Sequence, residues 1–174
     1  VQRVFKIMRD AEYRHFLQEN ARREEDRRFC RHDPAHLKQV ARLAWQLVQR
    51  AGLDKLLQAI QSDAWRVGRE VVYAAGLLHD IGRWQEYDSG TDHALAGAEL
   101  AAGILQRAGF SETERQIICR AIREHRRGGP QASLLGQALC LADDLSRPCR
   151  QCAARRECKK YGYMVELQRR VQLL

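Results

Sequence analysis

The chain has 174 residues, 45% of them hydrophobic, with 30 Lys and Arg against 22 Asp and Glu and a formal net charge of +8. That size and apolar content suit one core and a single domain over 1–174, and only three prolines, with no long Ser- or Gly-rich stretch, point to an all-helical chain. No stretch is long and apolar enough to cross a membrane and no signal peptide is legible, so no membrane partner is expected and the cytoplasm of a microbe is the expected compartment.

Without alternating β-branched runs, the pattern predicts an all-α bundle of about seven or eight helices with short connections. The first two dozen residues read as one helix with a weak apolar side (Val4, Phe5, Met8), and His15 in its charged surroundings reads as a surface residue. Between Arg22 and Arg28 the basic residues alternate with Glu24, Glu25 and Asp26, the pattern of a solvated face rather than a nucleic-acid patch. Asp33 as N-cap and Pro34 at the first helical position open a helix whose stripe is Leu37, Val40, Ala41, Ala44, Leu47 and Val48, with Gly52 as its stop. His36 lies one turn before Val40 and borders the buried face.

The apolar run Tyr73 to Leu78 ends in His79-Asp80, just before Gly82. Adjacent residues in mid-helix point about 100° apart, but at a fraying end both can turn toward one ion. The following Trp84 to Gly90 reads as a loop. Either Thr91 or Asp92 caps the next helix, which carries His93 in its first turn and Ala94, Ala98, Ala101, Ile104 or Leu105, and Ala108 inward. Ser111 and Glu114 form a capping box for a helix with Ile118, Ala121, Ile122 and His125 on one side, stopped by Gly128-Gly129-Pro130. Ser133 opens a further helix with Leu135, Ala138, Leu139, Ala142 and Leu145 inward; Asp143 flanks that face, while Asp144 points away and reads as solvated or supporting. Four of six histidines and two carboxylates thus border buried faces, which surface chance does not explain.

His36, His79-Asp80 and Asp143, in the contexts His36-Leu37-Lys38-Gln39-Val40, Leu77-Leu78-His79-Asp80-Ile81-Gly82-Arg83 and Leu141-Ala142-Asp143-Asp144-Leu145, resemble the H…HD…D pattern of the HD-domain metal-dependent phosphohydrolases over roughly 30–147. The resemblance implies that His36, His79, Asp80 and Asp143 hold one metal. His93 and His125 fall where the subgroup with two metals carries extra histidines, so Asp80 would bridge to a second ion held by them. One or two divalent transition ions (Fe, Mn, Co, Ni or Zn) suit such donors, and they activate water against a phosphoryl centre. Asp80, Arg83 and Lys38 are the expected catalytic residues, and Lys38, Arg83, Arg126 and Arg127 the candidates for gripping substrate phosphates. His32, close before His36, is a weaker candidate for supporting the site.

Cys149, Cys152 and Cys158 form a second cluster in a basic 148–158 segment, which should be a loop or short turn because Pro148 ends the preceding helix. Cys30 is the expected fourth thiolate: if His36 and Asp143 share one metal, Cys30 and Cys149 are brought together, and some bacterial HD-domain proteins are similar in pairing such segments. Structural zinc, an iron–sulfur cluster and no metal at all remain open for these four thiols. Cys119 and Cys140 read as ordinary buried thiols. The 160–174 stretch is an amphipathic helix (Met164, Leu167, Val171, Leu174) that either packs on the core or pairs with a second copy.

The expected activity is hydrolysis of a phosphate ester or anhydride in a nucleotide or related phosphorylated metabolite by metal-activated water. The basic charge suits such a substrate and is compatible with nucleic acid, which is not favoured. The alternatives are a di-iron HD-type oxygenase and a non-catalytic metal-containing module that binds nucleotides or nucleic acid.

Overall fold

The computed structural model describes residues 2–50 and 68–172, which form nine α-helices, one 3₁₀ turn and no strand. Gly52 and Leu174, named above as a helix stop and as part of an apolar stripe, lie outside the described residues. The N-terminal stretch is two helices, α1 (Gln2–Arg9) and α2 (Ala11–Arg23). The chain breaks there because Asp10 turns extended and its carboxylate accepts hydrogen bonds from the Glu12 and Tyr13 amides, capping α2. Val4 and Ile7 of α1 are buried, while Phe5 is exposed.

The middle of the fold is α4 (Arg69–Leu78), buried on nearly every side from Val71 to Leu78. It packs against α3 (Pro34–Arg50), whose Leu37, Val40, Ala41, Ala44 and Val48 point inward as the stripe predicts. The approach is close at Gly76: a Cβ there would lie 2.4 Å from the Ala41 Cα, so only glycine lets these helices meet. Around this pair stand α6 (His93–Ala108), α7 (Glu112–Glu124) and α8 (Leu134–Leu145), each with the expected cap: Asp92, the Ser111–Glu114 box and Ser133. Gly128 and Gly129 follow α7 at positive φ, the conformation that ends it.

Trp84 to Gly90 differs from the expected loop. Residues Arg83–Ser89 form α5, closed by Gly90 in the left-handed conformation. After α8 the chain makes the 3₁₀ turn Cys149–Gln151 and returns as α9 (Tyr161–Gln172), which packs on α8 and on that turn with Met164 buried. No helix among the described residues is long and apolar enough to cross a membrane.

Candidate metal centre

The end of α4 builds the centre. His79 caps the helix and Asp80 begins a tight turn, closed by the Arg83 amide on the Asp80 carbonyl at 3.2 Å. Asn20 of α2 clamps this turn: its amide nitrogen donates to the Asp80 carbonyl (2.9 Å) and its oxygen accepts from the Trp84 amide (2.8 Å). The Asp80 side chain is fully buried, and each of its two oxygens faces a different group of donors.

Oδ2 faces the first group. His79 Nε2 lies 3.0 Å away and His36 Nε2 3.6 Å, while Asp143 Oδ1 is 3.2 Å from the same His36 nitrogen. Oδ1 faces the second group, with His93 Nε2 at 3.4 Å and His125 Nε2 at 3.7 Å. Within each group the ligand atoms lie within 4.8 Å of one another, so Asp80 belongs to both.

Each histidine is aimed by its other ring nitrogen. His79 Nδ1 donates to the Gly76 carbonyl (2.7 Å) and His125 Nδ1 to the Ile122 carbonyl (2.6 Å). His93 Nδ1 meets Glu86 Oε2 (2.6 Å), and His36 Nδ1 lies 3.1 Å from the Ser146 hydroxyl. Nε2 is left facing inward in all four, the second-sphere arrangement that orients metal-binding imidazoles. Buried polar groups are nearly always paired, yet His36 Nε2, His79 Nε2 and Asp80 Oδ2 are buried without a hydrogen-bond partner. Three orphaned donor atoms converging on one point are what a cation would satisfy.

Most of the charge states agree; His36 is the exception, raised despite burial by the Asp143 and Asp80 carboxylates beside it. Burial disfavours charge on Asp80, but His79, Arg83 and His32 outweigh it and hold the carboxyl well below its usual range. Asp143 is likewise lowered, despite burial, by His36 and Arg147. Burial, aided by Arg83 and His125, depresses His93 to about 4, which leaves its imidazole neutral and able to ligate near neutral pH.

The chain belongs to the HD-domain family. The family's pattern matches residues 35–147, about two thirds of the chain, and the HD domain is the fold of a superfamily of metal-dependent phosphohydrolases. An uncharacterized protein of Clostridium beijerinckii is 34% identical over 152 residues, covering 87% of this chain and 88% of that protein. A bifunctional uridylyltransferase/uridylyl-removing enzyme of Bradyrhizobium diazoefficiens is 33% identical over 84 residues, 46% of this chain and 8% of the enzyme. Its Mycobacterium tuberculosis counterpart is 40% identical over 63 residues, 36% of this chain and 7% of the enzyme. The chain therefore spans under a tenth of these large enzymes. No solved structure matches.

Of the cations predicted to grip phosphate, Arg83 and Arg126 reach the centre. With His93, His125, Asp143, Asp144, Cys140 and Lys160 they line a cavity of about 180 Å³. Arg83 is held by Asp80 Oδ1 (3.2 Å) and Glu86 Oε2 (3.0 Å), and Arg126 by Glu86 Oε1 (2.8 Å) and Asp92 (3.2 Å). Lys38 and Arg127 are exposed and line none of it. Asp144, read as pointing away, is half-buried in the cavity wall, because α9 folds back and brings Lys160 and Tyr163 over it. Cys140 lines the same cavity and is partly exposed rather than fully buried.

Sequence reasoning missed Glu86, Arg147 and Glu24 as supporting groups; Glu24, expected on a solvated face, is buried, and His32 was named only as a weaker candidate. Glu86 orients His93, Arg83 and Arg126 together, and Arg147 donates to Asp143 Oδ1 at 2.7 Å. His32 is buried, its Nδ1 paired with the buried Glu24 carboxylate and its Nε2 3.8 Å from Asp80 Oδ2. The one sequence clue to this pair was an acidic residue at the end of a helix, eight positions before a histidine.

The four cysteines named as a second metal site, Cys30, Cys149, Cys152 and Cys158, are free thiols that line one separate cavity. Among the described residues no three of their sulfurs come as close together as the ligand atoms of the His/Asp groups. No closed thiolate site is formed.

Proposed function

We propose that the chain hydrolyses a phosphate ester or anhydride of a nucleotide or related phosphorylated metabolite. One observation carries this reading: His93, His125 and Asp143, members of the two donor groups that share Asp80, line a small polar cavity together with the cations Arg83, Arg126 and Lys160. The donors His36, His79, Asp80 and Asp143 would hold one divalent metal and Asp80, His93 and His125 a second. Metal bound there lowers the pKa of water and polarises a phosphoryl oxygen.

The chain's own residues do the rest. Arg83 and Arg126 are fixed by Glu86, so their guanidinium groups meet a phosphate without first losing rotamer freedom. Lys160 adds an exposed ammonium group to the lining, a point charge on a long side chain that suits a phosphate. A cavity of about 180 Å³ takes the phosphoryl group and leaves the remainder of the substrate outside. The relatives described as uridylyl-removing support the class, since a uridylyl group is a nucleotide joined through its phosphate and its removal is a phosphoester hydrolysis.

The test is phosphate or nucleotide release from a panel of nucleotide mono-, di- and triesters and anhydrides, with metal added, for the unaltered chain and Asp80→Ala. Turnover that falls to background in Asp80→Ala is expected. Turnover retained by the variant refutes the site, and oxygen uptake or salt-sensitive nucleic-acid binding without hydrolysis refutes the reaction class.

A further inference from the structure

Two segments far apart in the chain deliver Cys30, Cys149, Cys152 and Cys158 to the walls of one cavity of about 430 Å³. The cavity lies behind the metal centre. His36 and Ser146 form part of its wall, and the His36 ring stands between it and Asp80. Specific contacts hold the two segments together. Arg147 donates to the Arg31 carbonyl (3.2 Å) and Arg28 pairs with Glu157 (2.8 Å), while within the first segment Arg27 donates to the Cys30 carbonyl (2.7 Å). The Cys152 amide bonds back to the Cys149 carbonyl at 3.2 Å, a tight turn that puts both cysteines at one end of the cavity.

The surroundings of the thiols suit four negative sulfurs around a dication. Arg31, Arg147 and Arg155 line the same cavity, offsetting the net negative charge that such a site would carry. The stretch from Arg147 to Lys160 contains one 3₁₀ turn and buries only Arg147, Cys149 and Ala154, too little apolar surface to fix a fourteen-residue excursion by packing. A crosslink would supply what packing does not.

We propose that Cys30, Cys149, Cys152 and Cys158 bind one thiophilic divalent ion of the zinc class, separate from the His/Asp centre and with a structural role. Uptake brings the four sulfurs closer than they stand now and ties the 149–158 loop to the start of α3. Both ends of that loop reach the metal centre: Arg147 contacts Asp143, and Lys160 lines the small cavity. Loading the thiol site therefore fixes groups that serve the other site, although none of the four sulfurs lines the small cavity. A closed tetrathiolate set leaves no open coordination position, which is the mark of a structural rather than catalytic ion.

Cobalt(II) titration of the full reduced chain tests this, read by thiolate-to-cobalt charge-transfer absorption in the near ultraviolet. One thiolate-bound cobalt per chain is expected in the unaltered protein and in Asp80→Ala, displaced by one equivalent of zinc and lost in Cys30→Ser. Absence of the band, or its full retention in Cys30→Ser, overturns the proposal; so does iron accompanied by acid-labile sulfide in protein purified anaerobically. A second measurement needs no variant. Adding one zinc should protect four of the six thiols from alkylation, chelation should re-expose them, and protection of fewer than four refutes the tetrad.

Discussion

Replacing Gly82 by Ala probes how the two donor groups are brought together. Gly82 has φ −90°, so alanine brings no backbone strain, and the whole effect comes from the added methyl. That Cβ would lie 2.5 Å from the Gly97 amide nitrogen and 2.8 Å from the His93 carbonyl oxygen, about 0.9 and 0.6 Å short of ordinary contact. Both obstacles are backbone of α6, so no side chain can swing aside. The first turns of α6 must move away from the His79–Asp80 turn, and His93 moves with them. Overpacking of this kind costs about 1–3 kcal/mol. The expected result is a lower urea midpoint together with selective weakening of the second group, where His93 Nε2 stands 3.4 Å from Asp80. Metal counted per chain after equilibrium dialysis should fall from two toward one, with the ion at His36, His79, Asp80 and Asp143 kept. Gly162→Ala is the control: nothing lies within 4 Å of its Cβ position, and alanine near the start of α9 should leave stability equal or raise it by up to about 1 kcal/mol. An unchanged midpoint and full metal content in Gly82→Ala would refute the reasoning.

Three further outcomes follow from the same geometry. Lys160→Ala should raise KM about three- to tenfold with kcat within about twofold, as expected for an exposed cation that binds substrate, whereas Lys38→Ala and Arg127→Ala should leave both constants unchanged; steady-state kinetics decide. Glu86→Gln should weaken the second metal more than the first, because His93 loses its carboxylate partner, and competition with a chelating dye measures it. The third concerns pH. Burial disfavours the Glu24 charge, but hydrogen bonds from His32 and Tyr87 outweigh it and depress the carboxyl from 4.5 to about 2. The unfolded chain then takes up this proton first, so the stabilisation is complete above about pH 4.5 and is lost as pH falls toward 2. Glu24→Gln should therefore show a shallower acid limb in urea midpoint against pH, and an unchanged slope would contradict this role.

Much of the candidate centre was legible in the sequence because the side chains it groups sit beside local signals. His36 follows the Asp33–Pro34 helix start, His79 and Asp80 end an apolar run, His93 follows its Asp92 cap, His125 ends the Ser111 helix, and Asp143 borders a stripe. Periodicity reports which side of a helix is buried, and capping residues report where it ends; both depend only on neighbours in the chain. The α-only architecture follows from the same patterns.

What tertiary structure decided was who meets whom. That Asp80 shares its two oxygens between two groups depends on α3 and α6 approaching α4 and the turn after it, at Gly76 against Ala41 and Gly82 against Gly97. Glu24 reaches His32, Glu86 reaches both Arg83 and Arg126, and Lys160 joins the cavity only because helices cross at particular distances. Lys38 and Arg127 line none of that cavity for the same reason, since nearness in sequence to a grouped side chain does not set the direction of its neighbour. Helix formation and capping are local and can be read along one dimension. Helix crossings are set by the fit of surfaces far apart in the chain, and no single stretch of sequence records that fit.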